Sequence, residues 1–170
     1  MINFLDISYL KTGNATQVKA YYILKNNEIL NKLKAFSPIL VGTIPINIDI
    51  EGSDLDIVCY VQNNEEFKHK LKLYFGNEKD FLISENQKYN AIKVNFFLEN
   101  FEIEIFGQNI PTQEQNAYLH MLIEHKLLLK KGENFRKEII ALKKQGYKTE
   151  PAFAKLLGLR GNPYQALLNY

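Results

Sequence analysis

Between Asn14 and Ser37 the apolar positions recur at helical spacing: Val18, Tyr21, Tyr22 and Leu24, then Leu30, Leu33 and Phe36. Asn14 is placed to cap the first turn. Ser37-Pro38 stops the last, because the residue before a proline is driven out of the helical region. The pattern then changes. Ile39-Leu40-Val41 is a short, wholly apolar run ending at Gly42, which reads as a buried strand entering a tight turn. Leu55 to Val61 is a second strand, bounded by Gly52-Ser53 and by Gln62-Asn63-Asn64. Phe67 to Phe75 reads as helix and Phe81-Leu82-Ile83 as a short edge strand. Ala91 to Leu98 and Phe101 to Phe106 are strand-like runs joined by Glu99-Asn100, the two-residue spacing of a hairpin.

Past Phe106 the period is helical. Thr112 with Gln115 fits a capping box behind Pro111, opening a helix that Gly132 ends. A second helix spans about Glu133 to Gln145 and stops at Gly146. Thr149 caps a third that Gly158 terminates, and Asn162-Pro163 opens a last one. Strands before helices predict an α+β fold: a small mixed sheet carrying a C-terminal helical subdomain. The boundary falls near Gly107 to Thr112, dividing residues 1–110 from 111–170, the two packed as one unit.

Composition adds little to this picture, but charge adds something. Hydrophobic content of 46% and charged content of 24% are ordinary for a globular chain of 170 residues. The single cysteine, Cys59, has no partner for a disulfide or a zinc site. With no basic-then-apolar N-terminus and no membrane-length apolar run, the expectation is a cytoplasmic protein with no membrane partner. The net charge of +2 does not by itself support nucleic-acid binding. Its distribution is uneven: residues 1–110 hold 11 Lys/Arg against 14 Asp/Glu, a balance of −3, and residues 111–170 hold 10 against 5, a balance of +5. An acidic part suited to metal ions beside a basic part suited to phosphates fits a nucleotide enzyme.

Alternation along Leu55 to Val61 puts Asp54, Asp56, Val58 and Tyr60 on one face and Leu55, Ile57, Cys59 and Val61 on the other. Two carboxylates two residues apart on one face repel each other unless a cation lies between them, and a hard divalent ion such as Mg²⁺ (or Mn²⁺) answers that need. Glu102 and Glu104 share a face of the hairpin strand, and one of them completes a carboxylate triad if that strand pairs beside Leu55 to Val61. Upstream, Gly42-Thr43 at a strand end can present backbone N–H groups and a hydroxyl to phosphate oxygens. Ten residues, Ile44 to Ser53, then precede Asp54.

Gly42-Thr43, that gap, Asp54-Leu55-Asp56 and an acid on a later strand together resemble the signature of the DNA polymerase β-like nucleotidyltransferase superfamily. More narrowly, Val41–Ile50, Ser53–Ile57, Glu104–Gln108, Gln115–Tyr118 and Lys148–Phe153 resemble the DUF4269 family, over roughly Tyr9 to Tyr170. The Gly-Thr-x-Pro segment is also similar to GrpB-like proteins of the same superfamily. The resemblance implies a sheet of the nucleotidyltransferase type. It makes Asp54, Asp56 and Glu104 the metal ligands and catalytic acids, with Glu102 the competitor for the third place. Gly42, Thr43 and Ser53 then contact the nucleotide. Thr43 stands where the usual residue is Ser, and the third acid is Glu where Asp is commoner.

Other residues carry weaker readings. Asp49-Ile50-Glu51 repeats the Asp-apolar-acid pattern too soon after Thr43 and is read as structural. Asn116, His120 and Glu124 form a polar stripe on the helix from Gln113 to Lys131, either facing the nucleotide or satisfied by a His120–Glu124 pair. His125, nearly opposite on the helical wheel, is expected at the surface. Lys93 could reach a triphosphate, although a lone lysine on an antiparallel strand more often faces solvent. Two functions stand at this point. One is a metal-dependent transferase moving a nucleoside monophosphate from an NTP, with ATP first among them, to an unidentified acceptor hydroxyl, with pyrophosphate released. The acceptor would be a small-molecule alcohol, a protein side chain or an RNA end. The other is a non-catalytic nucleotide- or metal-binding protein, or one component of a toxin–antitoxin-like pair.

Overall fold

The computed structural model describes residues 2–170. Asn14 caps α1 (Ala15–Asn26) with a reciprocal box, its side chain accepting from Gln17 N–H while the Gln17 side chain accepts from Asn14 N–H. The expected long helix ends there. Glu28 takes a left-handed conformation (φ 53°), and only a single turn, α2 (Ile29–Lys32), and a 3₁₀ turn (Lys34–Phe36) follow before Ser37 and Pro38. The apolar period of Leu30, Leu33 and Phe36 survives the break because these residues still pack on the same core.

Five strands make one sheet in the order β1-β2-β5-β4-β3: β1 (Ile39–Val41), β2 (Leu55–Tyr60), β3 (Lys79–Asn86), β4 (Ala91–Leu98) and β5 (Phe101–Gln108). The sheet is mixed: β2 and β5 are parallel, while β1–β2, β4–β5 and β3–β4 are antiparallel. The expected hairpin forms as β4–β5, with Glu99 in the left-handed region at its turn. The edge strand β3 is longer than Phe81–Ile83 and mostly exposed. The helix α3 (Asn64–Phe75), capped by Asn63, crosses between β2 and β3.

Apolar clusters cover both faces of the sheet. On one face Leu55, Ile57 and Cys59 join Leu24, Phe67 and Phe75 under α1 to α3. On the other, Ile39, Val41 and Val58 pack against the C-terminal helices through Met121, Leu128, Ile139 and Phe153. Those helices are α4 (Asn116–Lys131), α5 (Glu133–Lys144), α6 (Thr149–Leu157) and α7 (Pro163–Leu168). The alternation read from β2 therefore has a consequence in three dimensions. The face carrying Asp54 and Asp56 is the one that the helical region covers.

The capping box expected at Thr112 does not form. Thr112–Glu114 is a 3₁₀ turn, and α4 starts only at Asn116. The buried side chain of Gln115 instead donates to Cys59 O and Ile110 O, at 2.9 Å each, tying the start of α4 to the end of β2. The Cys59 carbonyl is a stronger claim on the amide than the helix terminus, because it lies away from water. Gln115→Leu, similar in size but with no donor, should cost about 1–3 kcal/mol, measured as a lower urea midpoint at unchanged m-value.

Candidate active site

Strand β1 delivers the chain to Gly42, whose φ of +83° is a left-handed-side conformation that a side chain strains to adopt. A Cβ at this position would stand 2.2 Å from Asp56 Oδ2, so the backbone runs directly against that carboxylate. Val41 is the register partner of Asp56, which is why the contact exists. Beyond it the chain turns through Thr43 and Ile48, closed by a bond of 3.1 Å from Ile48 N–H to Thr43 O. A second turn brings it back, where Ser53 Oγ accepts from Ile50 N–H at 2.9 Å.

The parallel pairing of β2 with β5 sets Asp56 beside Glu104 in register. Asp54, Asp56 and Glu104 each offer a carboxylate oxygen to a group lying within 4.8 Å. Glu104 forms an ion pair with Lys93 from β4. Asp54 and Asp56 have no ion-pair partner among the described residues. Burial pushes the Asp54 carboxyl above its ordinary value, with Glu104 and Glu102 adding to the shift. Asp56 is pushed well above, first by burial and then by Asp54 and Glu104. Carboxylates held together against burial and mutual repulsion, all with oxygen donors, are the donor set that a hard divalent cation suits. Lys93 is itself held charged by its bond to Glu104.

Glu102 stands one step aside. Asn95 Nδ2 donates to Glu102 Oε1 at 2.7 Å and more weakly, at 3.4 Å, to Glu104 Oε2, and Glu102 does not line the cleft. Of the two competing acids, Glu104 is the one the register brings to the aspartates.

A cleft of about 790 Å³ opens over these groups, within the range small-molecule sites occupy. Gly42, Thr43, Ser53, Asp54, Asp56, Lys93 and Glu104 line one side. The opposite side is helical: His120 and Glu124 of α4, Lys143 of α5, and Tyr147 to Glu150 leading into α6. Asn116, at the first residue of α4, is exposed and outside the cleft. The His120–Glu124 pair does not form. His120 Nε2 lies 2.9 Å from Tyr164 O and Nδ1 3.6 Å from Glu150 Oε1. His125 is buried, not exposed, its ring edge-on to Phe4 at 5.0 Å. The N-terminal segment covers that side of α4, which a helical wheel of α4 alone does not contain.

Sequence reasoning did not bring Lys143 to the cleft. It is buried, donates to Ile48 O at 2.7 Å, and loses affinity for its proton through burial, with Glu124, Asp49, Asp54 and Asp56 opposing that loss. A signal existed: Lys143 lies four residues after buried Ile139 and beside Leu142, on the inward stripe of α5.

The mixed sheet with its helices is similar in fold to parts of several solved nucleotide-polymerising proteins. Similar folds occur in Cid1, solved for its RNA terminal uridylyl transferase activity (11% identity, TM-score 0.56, 74% of this chain and 40% of that one). They occur also in the Cid1 poly(U) polymerase bound to MgGTP (13% identity, TM-score 0.56, 74% and 41%). The polymerase core of TRAMP, an RNA surveillance complex, matches with 12% identity and TM-score 0.52, over 95% and 50%. The chain thus spans about half or less of those proteins' lengths. No curated protein matches the sequence. The chain belongs to the DUF4269 family, a domain of unknown function whose model matches residues 22–170. Among the described residues no helix is long and apolar enough to cross a membrane.

Proposed function

We propose that this protein is a metal-dependent nucleotidyltransferase that moves a nucleoside monophosphate from an NTP, ATP first among them, to an acceptor hydroxyl, releasing pyrophosphate. The observation that carries the reading is the triad: Asp56 and Glu104 on adjacent parallel strands and Asp54 just before the first of them, within 4.8 Å, facing a cleft with Gly42-Thr43 on its rim. In this reading residues 1–110 supply the metal and phosphate side and residues 111–170 the wall opposite.

Asp54, Asp56 and Glu104 would hold Mg²⁺ or Mn²⁺. Bound there, such an ion neutralises phosphate charge and lowers the pKa of an attacking hydroxyl. The chain's own residues do the rest. Gly42, lacking a Cβ, lets phosphate oxygens approach the backbone beside Asp56, and the Thr43 hydroxyl and the Ser53 side of the rim bound the triphosphate. Lys93 supplies a fixed positive charge at the cleft edge and holds Glu104 in place. The acceptor hydroxyl gives its proton to a triad carboxylate as its oxygen attacks the α-phosphorus, the bond from that phosphorus to the bridging oxygen breaks, and pyrophosphate leaves carrying the electron pair. Rate enhancement by this route comes from positioning and charge neutralisation.

Calorimetry of the protein with ATP, with and without Mg²⁺, tests the reading. Binding is expected to strengthen at least about tenfold with the metal, a difference of about 1.4 kcal/mol, because the ion neutralises charge shared between the carboxylates and the phosphates. Transfer of α-labelled phosphate to an acceptor should follow the same metal dependence. Equal binding with and without metal, or binding with no transfer across a panel of alcohols, proteins and RNA ends, would count against it.

A further inference from the structure

The wall facing the triad carries groups that the transfer chemistry leaves unused. Glu124 projects from α4 into the cleft lining, is only 3% exposed, and its Oε1 has no hydrogen-bond partner. The charged and titratable groups around it come from three helices: His120 one turn earlier on α4, Lys143 from α5 and Glu150 from α6. None of them satisfies it. The Lys143 ammonium is committed to Ile48 O, and His120 is engaged by Tyr164 O and Glu150. A buried carboxyl without a partner is costly to keep, and a donor from a ligand removes that cost. Met121, Ala117 and Val58 add carbon surface to the same cleft.

We propose that this wall is the acceptor subsite and that it takes a hydroxyl compound bearing a protonated amine, the ammonium meeting Glu124 with Glu150 beside it. Calling it the acceptor side rests on the transferase reading; the amine site itself does not. Glu124 and Glu150 in this part of the lining give an organic cation carboxyl oxygens to meet.

The Glu124 carboxyl is pushed up to about 8, by burial first and by Glu150, with Lys143 opposing. It is therefore protonated at neutral pH, and an arriving ammonium must displace that proton. Affinity for the amine then rises with pH up to about 8 and levels off above.

Calorimetric titration of the metal-free, nucleotide-free chain with 1,3-diaminopropan-2-ol, against glycerol as the neutral counterpart, tests this. The amine should bind about tenfold more tightly at pH 8.5 than at pH 6.5, with a proton released on binding at the lower pH, while glycerol gives no heat. Glu124→Gln should weaken amine binding at pH 8.5 about tenfold and flatten the pH dependence. The more exposed Glu150→Gln should weaken it less and keep the dependence. Asp56→Asn should leave amine binding intact. Equal binding of glycerol, no amine binding at either pH, full affinity in Glu124→Gln, or loss in Asp56→Asn would each overturn the proposal. The ATP titration on the same preparation keeps its failure separate from failure of the transferase reading.

Discussion

Asp56→Asn is expected to reduce transfer by on the order of 10³-fold while making the metal-free protein more stable. The first effect follows from Asp56 lying in register with Glu104 and within 4.8 Å of both other acids, so that it is central to any shared ion. Losing metal-based charge stabilisation forfeits several kcal/mol of transition-state binding, which is the source of the factor. The second effect follows from linkage. The native Asp56 holds its proton well above the ordinary carboxylate range, whereas the unfolded chain does not. The native state therefore binds more protons, and stability falls as pH rises from the unfolded value toward the folded one. An amide cannot ionise and escapes that penalty. Thermal melts without metal at pH 7 should show a higher Tm for Asp56→Asn than for the parent. Added Mg²⁺ should raise only the parent, because the ion binds its folded state alone. Full activity in the variant, or a Tm that drops without metal, would contradict this account of the site.

Gly42→Ala should damage both stability and transfer. The added carbon would lie 2.2 Å from Asp56 Oδ2, at a residue whose φ is +83°. Relief requires moving either the carboxylate or the turn. The left-handed conformation alone costs a non-glycine residue about 1–2 kcal/mol. Displacing a reacting group by about 1 Å costs on the order of 10²-fold in rate. The paired measurement is Tm with transfer rate, and both should fall. Gly52→Ala makes the control, since φ there is +80° but no atom lies within 4 Å of the added Cβ. It should show the backbone cost without the loss of rate.

Much of this arrangement was readable along the chain because it depends on neighbours in sequence. Alternation along β2 assigned Asp54 and Asp56 to the face opposite Leu55 and Ile57, and the two apolar clusters bear that division out. The end of β1 at Gly42 and the β4–β5 hairpin at Glu99-Asn100 were legible for the same reason. Local rules misled where a distant group competed. Gln115 left the helix cap for Cys59 O, the helix after Asn26 broke at Glu28, and His125 went under Phe4.

What the sequence by itself determined is which side chains share a face and where the backbone turns, since both follow from the two-residue period of a strand and the allowed φ of glycine. Only the tertiary structure decided which glutamate meets the aspartates. That choice depends on the parallel register of β2 against β5, and a shift of two residues would have put Glu102 beside Asp56 instead. It also decided that Glu124 and Lys143 close the cleft. Their helices reach it by packing on the aspartate face of β2, and nothing within either helix states what it will pack against.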